Sequence, residues 1–149
     1  MKPTPSLRSR AIGYLARREH SRAELMQKLA PHVEDESEVI ALLDDLERRG
    51  FLSDARFAAE FVRAKSRRFG AVHIAYALRE KGVSQETIDE VLAAVIDGEL
   101  ELAHRAWQAK FDALPASLDE RAKQTRFLVG RGFSSEIVRK VLRGEDFDG

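Results

Sequence analysis

Apolar residues recur at the spacing of an α-helix in several segments of the chain. One run consists of Val39, Leu42, Leu43 and Leu46, and further runs begin at Ile88 and Leu100. Residues three and four positions apart share one face of an α-helix, so each run predicts an amphipathic helix with a buried apolar side. No segment shows a comparable two-residue alternation of the kind that predicts a β-strand. The pattern predicts an all-α protein with about nine helices.

Start and stop signals agree with these helices. Ser21 with Glu24, and Ser117 with Glu120, have the spacing of a capping box, in which each side chain accepts a hydrogen bond from the backbone N–H of the other residue. Three predicted helices end in basic residues followed by a glycine, which can adopt the left-handed conformation that ends a helix. These glycines are Gly50, Gly82 and Gly132.

The helices form a repeat of about 50 residues. Residues 81–92 superpose on residues 131–142 at an offset of 50, with Gly, Ser, Glu, Val and Leu identical. In both copies the Gly ends one helix, an apolar residue fills the joint and the Ser caps the next helix. A weaker copy precedes them, with Asp35 in the place of Ser84.

We therefore predict a single domain of three tandem three-helix repeats, stacked into an elongated, curved array. The predicted repeats cover residues 7–50, 53–97 and 100–143, between flexible termini at 1–6 and 144–149. A compact helical bundle with accidental internal similarity is the alternative.

Charge is segregated along the chain, although 25 basic and 25 acidic residues balance overall. Residues 1–33, 34–60, 61–82, 83–104 and 105–143 have net charges of +5, −6, +5, −6 and +5, and the acidic end Glu145, Asp146 and Asp148 follows. One such block is usually a solvated helix face. In a stacked array, however, successive basic faces would align into one positive surface, which fits a polyanion or an acidic filament.

The cations that we expect on this surface lie mainly on the first two helices of repeats one and two, and the third repeat departs from this pattern because its last helix is basic. They are Arg17, Arg18, Arg22, Arg63, Lys65, Arg67, Arg68, Arg79, Lys81, Arg126 and Arg131. Most aromatic residues lie at core spacing, and Phe69, which follows two arginines and precedes a glycine, is the best candidate for stacking on a nucleotide base.

Sequence signals for catalysis or cofactor binding are weak. The histidines His20, His32, His73 and His104 lack the paired spacing of a zinc site, and we interpret each as a surface or half-buried residue. The chain has no phosphate-binding P-loop and no nucleophile elbow. The adjacent carboxylates Asp44 and Asp45 are typical of a solvated acidic helix. We expect a protein that is not an enzyme, with no cofactor, no metal and no small-molecule substrate.

The sequence also predicts a cytoplasmic location. No stretch approaches the roughly 18 to 20 apolar residues of a membrane span, and the N-terminus lacks the apolar core of a signal peptide. The absence of cysteine excludes disulfides and thiolate chemistry and suggests a reducing compartment. We see no heptad seam and expect a monomer without contact to membranes.

Four segments, at residues 16–25, 50–58, 69–83 and 122–134, have the residues, order and spacing of a known family. Through them the chain resembles the RecX regulatory proteins over nearly its whole length, and it departs from the common family pattern at Ala71 and His73, where Pro and Arg are frequent. The resemblance implies a nine-helix, three-repeat modulator of the RecA recombinase. Such a protein lies in the groove of the RecA filament on single-stranded DNA, inhibits its ATPase and strand exchange, and promotes its disassembly, with the DNA backbone as a further candidate contact.

Two other functions are compatible with the sequence. Residues 21–25 with 42–52 also resemble a winged-helix DNA-binding unit of a transcriptional regulator. A wing requires a hairpin after Leu52, whereas residues 54–63 predict an amphipathic helix, and the candidate recognition helix is acidic and would repel phosphates. A general protein-interaction scaffold with the same array is the second alternative.

Overall fold

The computed structural model describes residues 3–144, which form nine α-helices and one 3₁₀ turn and contain no strand. The helices are α1 (Leu7–Arg17), α2 (Arg22–Leu29), α3 (Glu36–Arg48), α4 (Asp54–Lys65), α5 (Ala71–Glu80), α6 (Gln85–Asp97), α7 (Glu99–Lys110), α8 (Leu118–Gly130) and α9 (Ser135–Leu142), and the 3₁₀ turn is Ala30–His32. The prediction of an all-α fold is confirmed. The acidic end Glu145, Asp146 and Asp148 lies outside the described residues.

The described residues group into two compact units. Unit 1 contains residues 3–60 and 78–88, and unit 2 contains residues 61–77 and 89–144. Helices α1, α2 and α3 enclose a core in unit 1 that consists of Ala11, Leu25, Leu29, Val39, Leu42, Leu43, Leu46 and Leu52. Helices α7, α8 and α9 enclose a core in unit 2 that consists of Ala103, Trp107, Leu128, Phe133, Val138, Val141 and Leu142. All four residues of the apolar run that predicts α3 belong to the core of unit 1.

The predicted glycine stops all have the same geometry. Gly50, Gly82 and Gly132 have φ values of 79°, 80° and 94°. The next residue donates its N–H to the carbonyl five positions earlier, in the pairs Phe51–Leu46 (2.9 Å), Val83–Leu78 (3.1 Å) and Phe133–Leu128 (3.3 Å). This is the Schellman motif, and its left-handed residue costs an L side chain about 1–2 kcal/mol.

A serine caps the helix after each of these turns. The Oγ atoms of Ser53, Ser84 and Ser134 accept the N–H three residues ahead, from Arg56 (3.1 Å), Thr87 (3.3 Å) and Ile137 (3.3 Å). The same unit of helix end, glycine, apolar joint and capped helix therefore occurs three times. Its hydrogen bonds are local, which explains why the sequence signals identify it.

Only one of the two predicted capping boxes is complete. The side chains of Ser21 and Glu24 each accept the N–H of the other residue, both at 3.1 Å. Ser117 accepts the N–H of Glu120, but the Glu120 carboxylate accepts from Ala116 at 2.7 Å instead. The φ of Ser117 is −140°, whereas that of Ser21 is −74°. Because of this rotation about the N–Cα bond, the N–H of Ser117 points in a different direction relative to its helix than the N–H of Ser21 does. The capping box predicted at Ser117 is therefore wrong in one of its two hydrogen bonds, the one from the Ser117 N–H to the Glu120 carboxylate.

Candidate polyanion-binding site

The predicted cations divide between the two units. Unit 1 contains Arg17, Arg18, Arg22, Arg79 and Lys81. Unit 2 contains Arg63, Lys65, Arg67, Arg68, Arg126 and Arg131. The two groups differ in how far carboxylates of the same chain neutralise them.

Most of the predicted cations in unit 1 have internal partners. The ion pairs are Arg18 with Glu24 (3.0 Å), Lys81 with Glu24 (3.9 Å), and Arg22 with Asp44 (2.8 Å) and Glu47 (2.6 Å). The hydrogen bond to Glu47 raises the pKa of Arg22. Arg79 donates from Nε to Oε1 of Gln85 at 2.8 Å. Among the predicted cations of unit 1, only Arg17 and Arg79 have no partner among the carboxylates that the structure describes.

The α3 carboxylate Asp45 takes part in more ion pairs than is usual for an acidic residue on a solvated helix face. Asp45 accepts hydrogen bonds from Arg8 (2.6 Å), Arg49 (3.0 Å) and Arg48 (3.2 Å). The bond from Arg8, together with that from Arg49, lowers the pKa of Asp45 to about 2. Its side chain is 19% exposed, so the solvated-face interpretation fits the exposed Asp44 better than Asp45.

His20 lies in the interior of unit 1. The interpretation of a surface or half-buried histidine is wrong for this residue, which is 1% exposed. Its Nδ1 lies 3.0 Å from the carbonyl oxygen of Arg18, and its Nε2 lies 2.8 Å from Nζ of Lys28. Because an ammonium group only donates, Nε2 accepts from Lys28 and Nδ1 donates to the carbonyl. Both ring nitrogens are satisfied, so the neutral ring can be buried.

We expect the stability of unit 1 to fall below about pH 6.5 because of His20. Burial lowers the pKa of His20, and the positive charges of Arg18 and Lys28 act in the same direction, against the Arg18 carbonyl and Glu24. The unfolded chain then binds the proton more readily than the folded chain. The contribution of neutral His20 is therefore complete above pH 6.5 and decreases below it, by at most about 1.4 kcal/mol per pH unit.

Urea unfolding of the wild type and of His20→Gln between pH 7.5 and 5 tests this expectation. The wild type should lose more stability over this interval than the variant. The exposed His32 offers a matched control, since His32→Gln should retain the pH dependence of the wild type. Parallel curves for the wild type and His20→Gln would contradict the assignment.

Unit 2 brings cations together around a cavity of about 300 Å³. We call it the cationic pocket, and it is lined by Arg67, Arg68, Arg105, Lys110 and Arg131, with Ala106, Ala109 and Phe127 as apolar wall. Arg105 pairs with Glu101 at 2.6 Å. Among the side chains that the structure describes, which exclude that of Asp97, no carboxylate lies within ion-pair distance of the other four cations. Positive charge therefore accumulates at the pocket without internal neutralisation.

Two backbone contacts fix the arginines of the pocket. The N–H of Gly70 donates to the carbonyl of Arg131 at 2.7 Å, and Nη1 of Arg131 donates to the carbonyl of Arg68 at 3.1 Å. The guanidinium of Arg131 lies 5.0 Å from the ring centre of Phe127, and that of Arg68 lies 5.7 Å from the ring centre of Phe69. The loop before α5 and the turn before α9 are thus clamped together, and both guanidinium groups are oriented by the fold.

Two glycines allow this clamp to close. A Cβ at Gly70 would lie 2.9 Å from the carbonyl oxygen of Gly132. A Cβ at Gly132 would overlap Cβ of His73 and lie 2.7 Å from its backbone nitrogen. The ring of His73 stacks on Phe69 at 4.2 Å, so one face of the predicted stacking residue is already covered.

A buried carboxylate lies at the start of two helices beside the clamp. Glu99 is 6% exposed, and burial raises its pKa, while the N–H groups of Ser134 and Ala71 oppose this rise. These N–H groups belong to Ser134, the N-cap residue of α9, and to Ala71, the first residue of α5, and the helix dipole favours a negative charge at both helix starts. Glu99 therefore supports the segments that contain Gly70 and Gly132.

The pocket contains three of the predicted residues, Arg67, Arg68 and Arg131. The other predicted cations of unit 2, Arg63, Lys65 and Arg126, are exposed and do not line it. Sequence reasoning missed Arg105 and Lys110, although both belong to the basic block 105–143, because the net charge of a block does not show which helix face a cation lies on. The small residues Ala106 and Ala109 beside these two cations are the signal that would have indicated an open, basic helix face. The alignment of cations across all three repeats stays a prediction.

The part of the chain that the structure describes contains neither a helix suited to span a membrane nor a cluster of metal-binding side chains. No helix within residues 3–144 combines the length and the apolar character that crossing a membrane requires. Within the same residues, no group of three or more His, Cys, Asp or Glu side chains is arranged to hold a metal ion.

Comparison with known proteins gives consistent matches along the chain. Models of the first, second and third three-helix domains of RecX match residues 8–46, 53–92 and 97–142. The regulatory protein RecX of Leptothrix cholodnii is 48% identical over 147 residues, covering 99% of this chain and 94% of the relative. RecX of Ralstonia nicotianae is 45% identical over 141 residues, covering 95% of this chain and 89% of the relative.

Solved structures have the same fold. The crystal structure of RecX from Lactobacillus salivarius superposes with a TM-score of 0.82 at 19% identity and covers 93% of both chains. A second crystal structure of a regulatory protein RecX gives a TM-score of 0.78 at 25% identity, covering 91% of this chain and 70% of that chain. Three domain models matched in chain order, together with relatives of this identity over almost the full length, show that the chain belongs to the RecX family of regulatory proteins.

Proposed function

We propose that this protein is a negative regulator of the RecA recombinase that acts in the cytoplasm. It binds in the groove of the RecA filament on single-stranded DNA, inhibits ATP hydrolysis and strand exchange, and promotes filament disassembly. Membership of a regulatory family supports a role through binding. The observation that carries the proposal is the set of four unpaired cations at the cationic pocket.

The chemistry of the pocket favours an anionic partner. Like charges held close together repel each other, and an anionic surface offsets this repulsion when it binds. The cations in unit 1 that have internal ion pairs contribute less, because a partner would have to displace a carboxylate that is already in place. A filament of protein on DNA offers both acidic side chains and backbone phosphates as counter-charges.

Regulation then follows from steric occupation. A chain that lies in the groove and contacts adjacent recombinase subunits hinders the motions that couple ATP turnover to strand exchange. Several modest contacts, each weak alone, add up along the groove. No bond is made or broken by this chain in such a mechanism.

The alternatives have less support. A winged-helix regulator requires a hairpin after Leu52, but α4 begins at Asp54 and the described residues contain no strand. A general scaffold offers no reason for four cations to converge without a counter-charge.

A pull-down experiment with the tagged full-length protein tests the proposal. Three baits are compared at the same concentration: recombinase filaments on single-stranded DNA, recombinase without DNA, and single-stranded DNA alone. We expect the filament to capture the most protein. Capture that is no greater on the filament than on bare DNA would contradict the proposal, and absence of capture by any bait would favour the scaffold.

A further inference from the structure

Cationic side chains from three different segments line the cationic pocket. Arg67 and Arg68 precede α5, Arg105 and Lys110 lie on α7, and Arg131 follows α8. Arg105 is paired with Glu101 at 2.6 Å, and the other four cations have no ion pair with a described carboxylate. A ligand in this pocket would therefore lie beside cations of three segments.

This arrangement suits a phosphate better than a carboxylate. A carboxylate has one charge and two oxygens in a plane, and an arginine fork can satisfy it from one side. A phosphate monoester has a charge of about −1.5 to −2 near neutral pH and three strong acceptor oxygens. Its oxygens point in different directions, so donors that approach from three segments can all bind it.

The size and the wall of the pocket indicate what is attached to the phosphate. A cavity of about 300 Å³ is at the lower end of the range for small-molecule sites. Ala106, Ala109 and Phe127 form an apolar side next to the cations. Phe127 is half-buried, with Phe111 packed edge-on at 5.4 Å and Arg131 over the ring at 5.0 Å. An aromatic surface beside cations is the combination that binds the base or sugar of a nucleotide.

We propose that the cationic pocket is a binding site for a phosphate monoester of a nucleotide, with the phosphate among the four unpaired cations and the nucleoside against the apolar wall. Such a phosphate is present on a free nucleotide and at the end of a DNA strand. The site is a property of unit 2 alone and does not depend on the proposed action on the recombinase.

Isothermal titration of the full-length protein at low ionic strength tests the site without any recombinase. The probes are adenosine monophosphate, adenosine, and a short single-stranded oligonucleotide with either a phosphate or a hydroxyl at its 5′ end. We expect adenosine monophosphate to bind at least tenfold more tightly than adenosine. A preference of tenfold or more for the phosphorylated oligonucleotide assigns the strand end as the source, and binding of both oligonucleotides at least tenfold weaker than that of adenosine monophosphate assigns the free nucleotide.

Two matched variants locate the binding. Lys110→Gln removes a pocket cation that takes no part in the clamp between Arg68 and Arg131, and it should weaken binding of adenosine monophosphate at least threefold. Lys123→Gln removes an exposed cation of α8 outside the pocket and should leave binding unchanged.

Three results would overturn the inference. They are equal binding of adenosine and adenosine monophosphate, equal losses in the two variants, and binding of a polyglutamate peptide as tight as that of the nucleotide. Since recombinase is absent from this experiment, such a failure would leave the filament pull-down as an independent test of the proposed function.

Discussion

Replacing Gly132 with alanine should lower the free energy of unfolding of unit 2 by roughly 2–6 kcal/mol. One part of this loss is conformational, because the φ of Gly132 is 94° and a residue with a side chain is strained there by about 1–3 kcal/mol. The other part is steric. The new Cβ would overlap Cβ of His73 and lie 2.7 Å from its backbone nitrogen, and such overpacking costs about 1–3 kcal/mol.

Urea unfolding followed by tryptophan fluorescence measures this effect, since Trp107 is the single tryptophan and lies in the core of unit 2. Gly130→Ala is the matched control. Gly130 is the last residue of α8, and a Cβ there meets nothing within 4 Å. Alanine is also the better helix former, by about 1 kcal/mol. Equal stability of the wild type and Gly132→Ala would contradict the described turn.

Replacing Arg67 and Arg68 together with glutamate should raise the protein concentration for half-maximal inhibition of the recombinase ATPase by tenfold or more. The double variant removes two unpaired cations of the cationic pocket and places two anions against an anionic partner. Like charges at an interface cost several kcal/mol, and 1.4 kcal/mol already corresponds to a factor of ten. Both side chains are exposed, so the fold should be retained.

Arg48 and Arg49 provide the matched control for this variant. They are also adjacent arginines, their replacement by glutamate changes the charge equally, and they lie at the end of α3 with Asp45 as internal partner. We expect this control to inhibit nearly as well as the wild type. Unchanged inhibition by the Arg67 and Arg68 variant with intact helicity would remove that pair from the proposed surface, and an equal loss in the control would show that only net charge matters.

The features that the sequence predicted correctly depend on short-range chemistry. A glycine stop, an apolar joint and a serine cap are separated by a few residues, and each has a local hydrogen-bonding reason. The turns at Gly82 and Gly132 therefore reveal the repeat directly. The helix α3 follows from the spacing of its four buried apolar residues for the same reason.

The features that the sequence did not predict depend on contacts between distant segments. No local signal marks Gly70 as a required glycine. A side chain is excluded there because a Cβ would collide with the backbone of Gly132, which is 62 positions away. The burial of His20 depends on the ammonium group of Lys28, and no spacing rule indicates that pair. Tertiary packing also decides whether a cation is paired within the chain or free to bind a partner. Arg22, for example, forms its ion pairs with Asp44 and Glu47 on α3.

ATP hydrolysis by the cognate recombinase on single-stranded DNA, with the wild-type protein titrated in substoichiometric amounts, tests whether this chain regulates the filament by occupying it. We predict that hydrolysis falls steeply at ratios well below one chain per recombinase subunit, because one bound chain hinders several subunits. A rate that stays constant up to equimolar protein would rule out regulation by occupation of the filament.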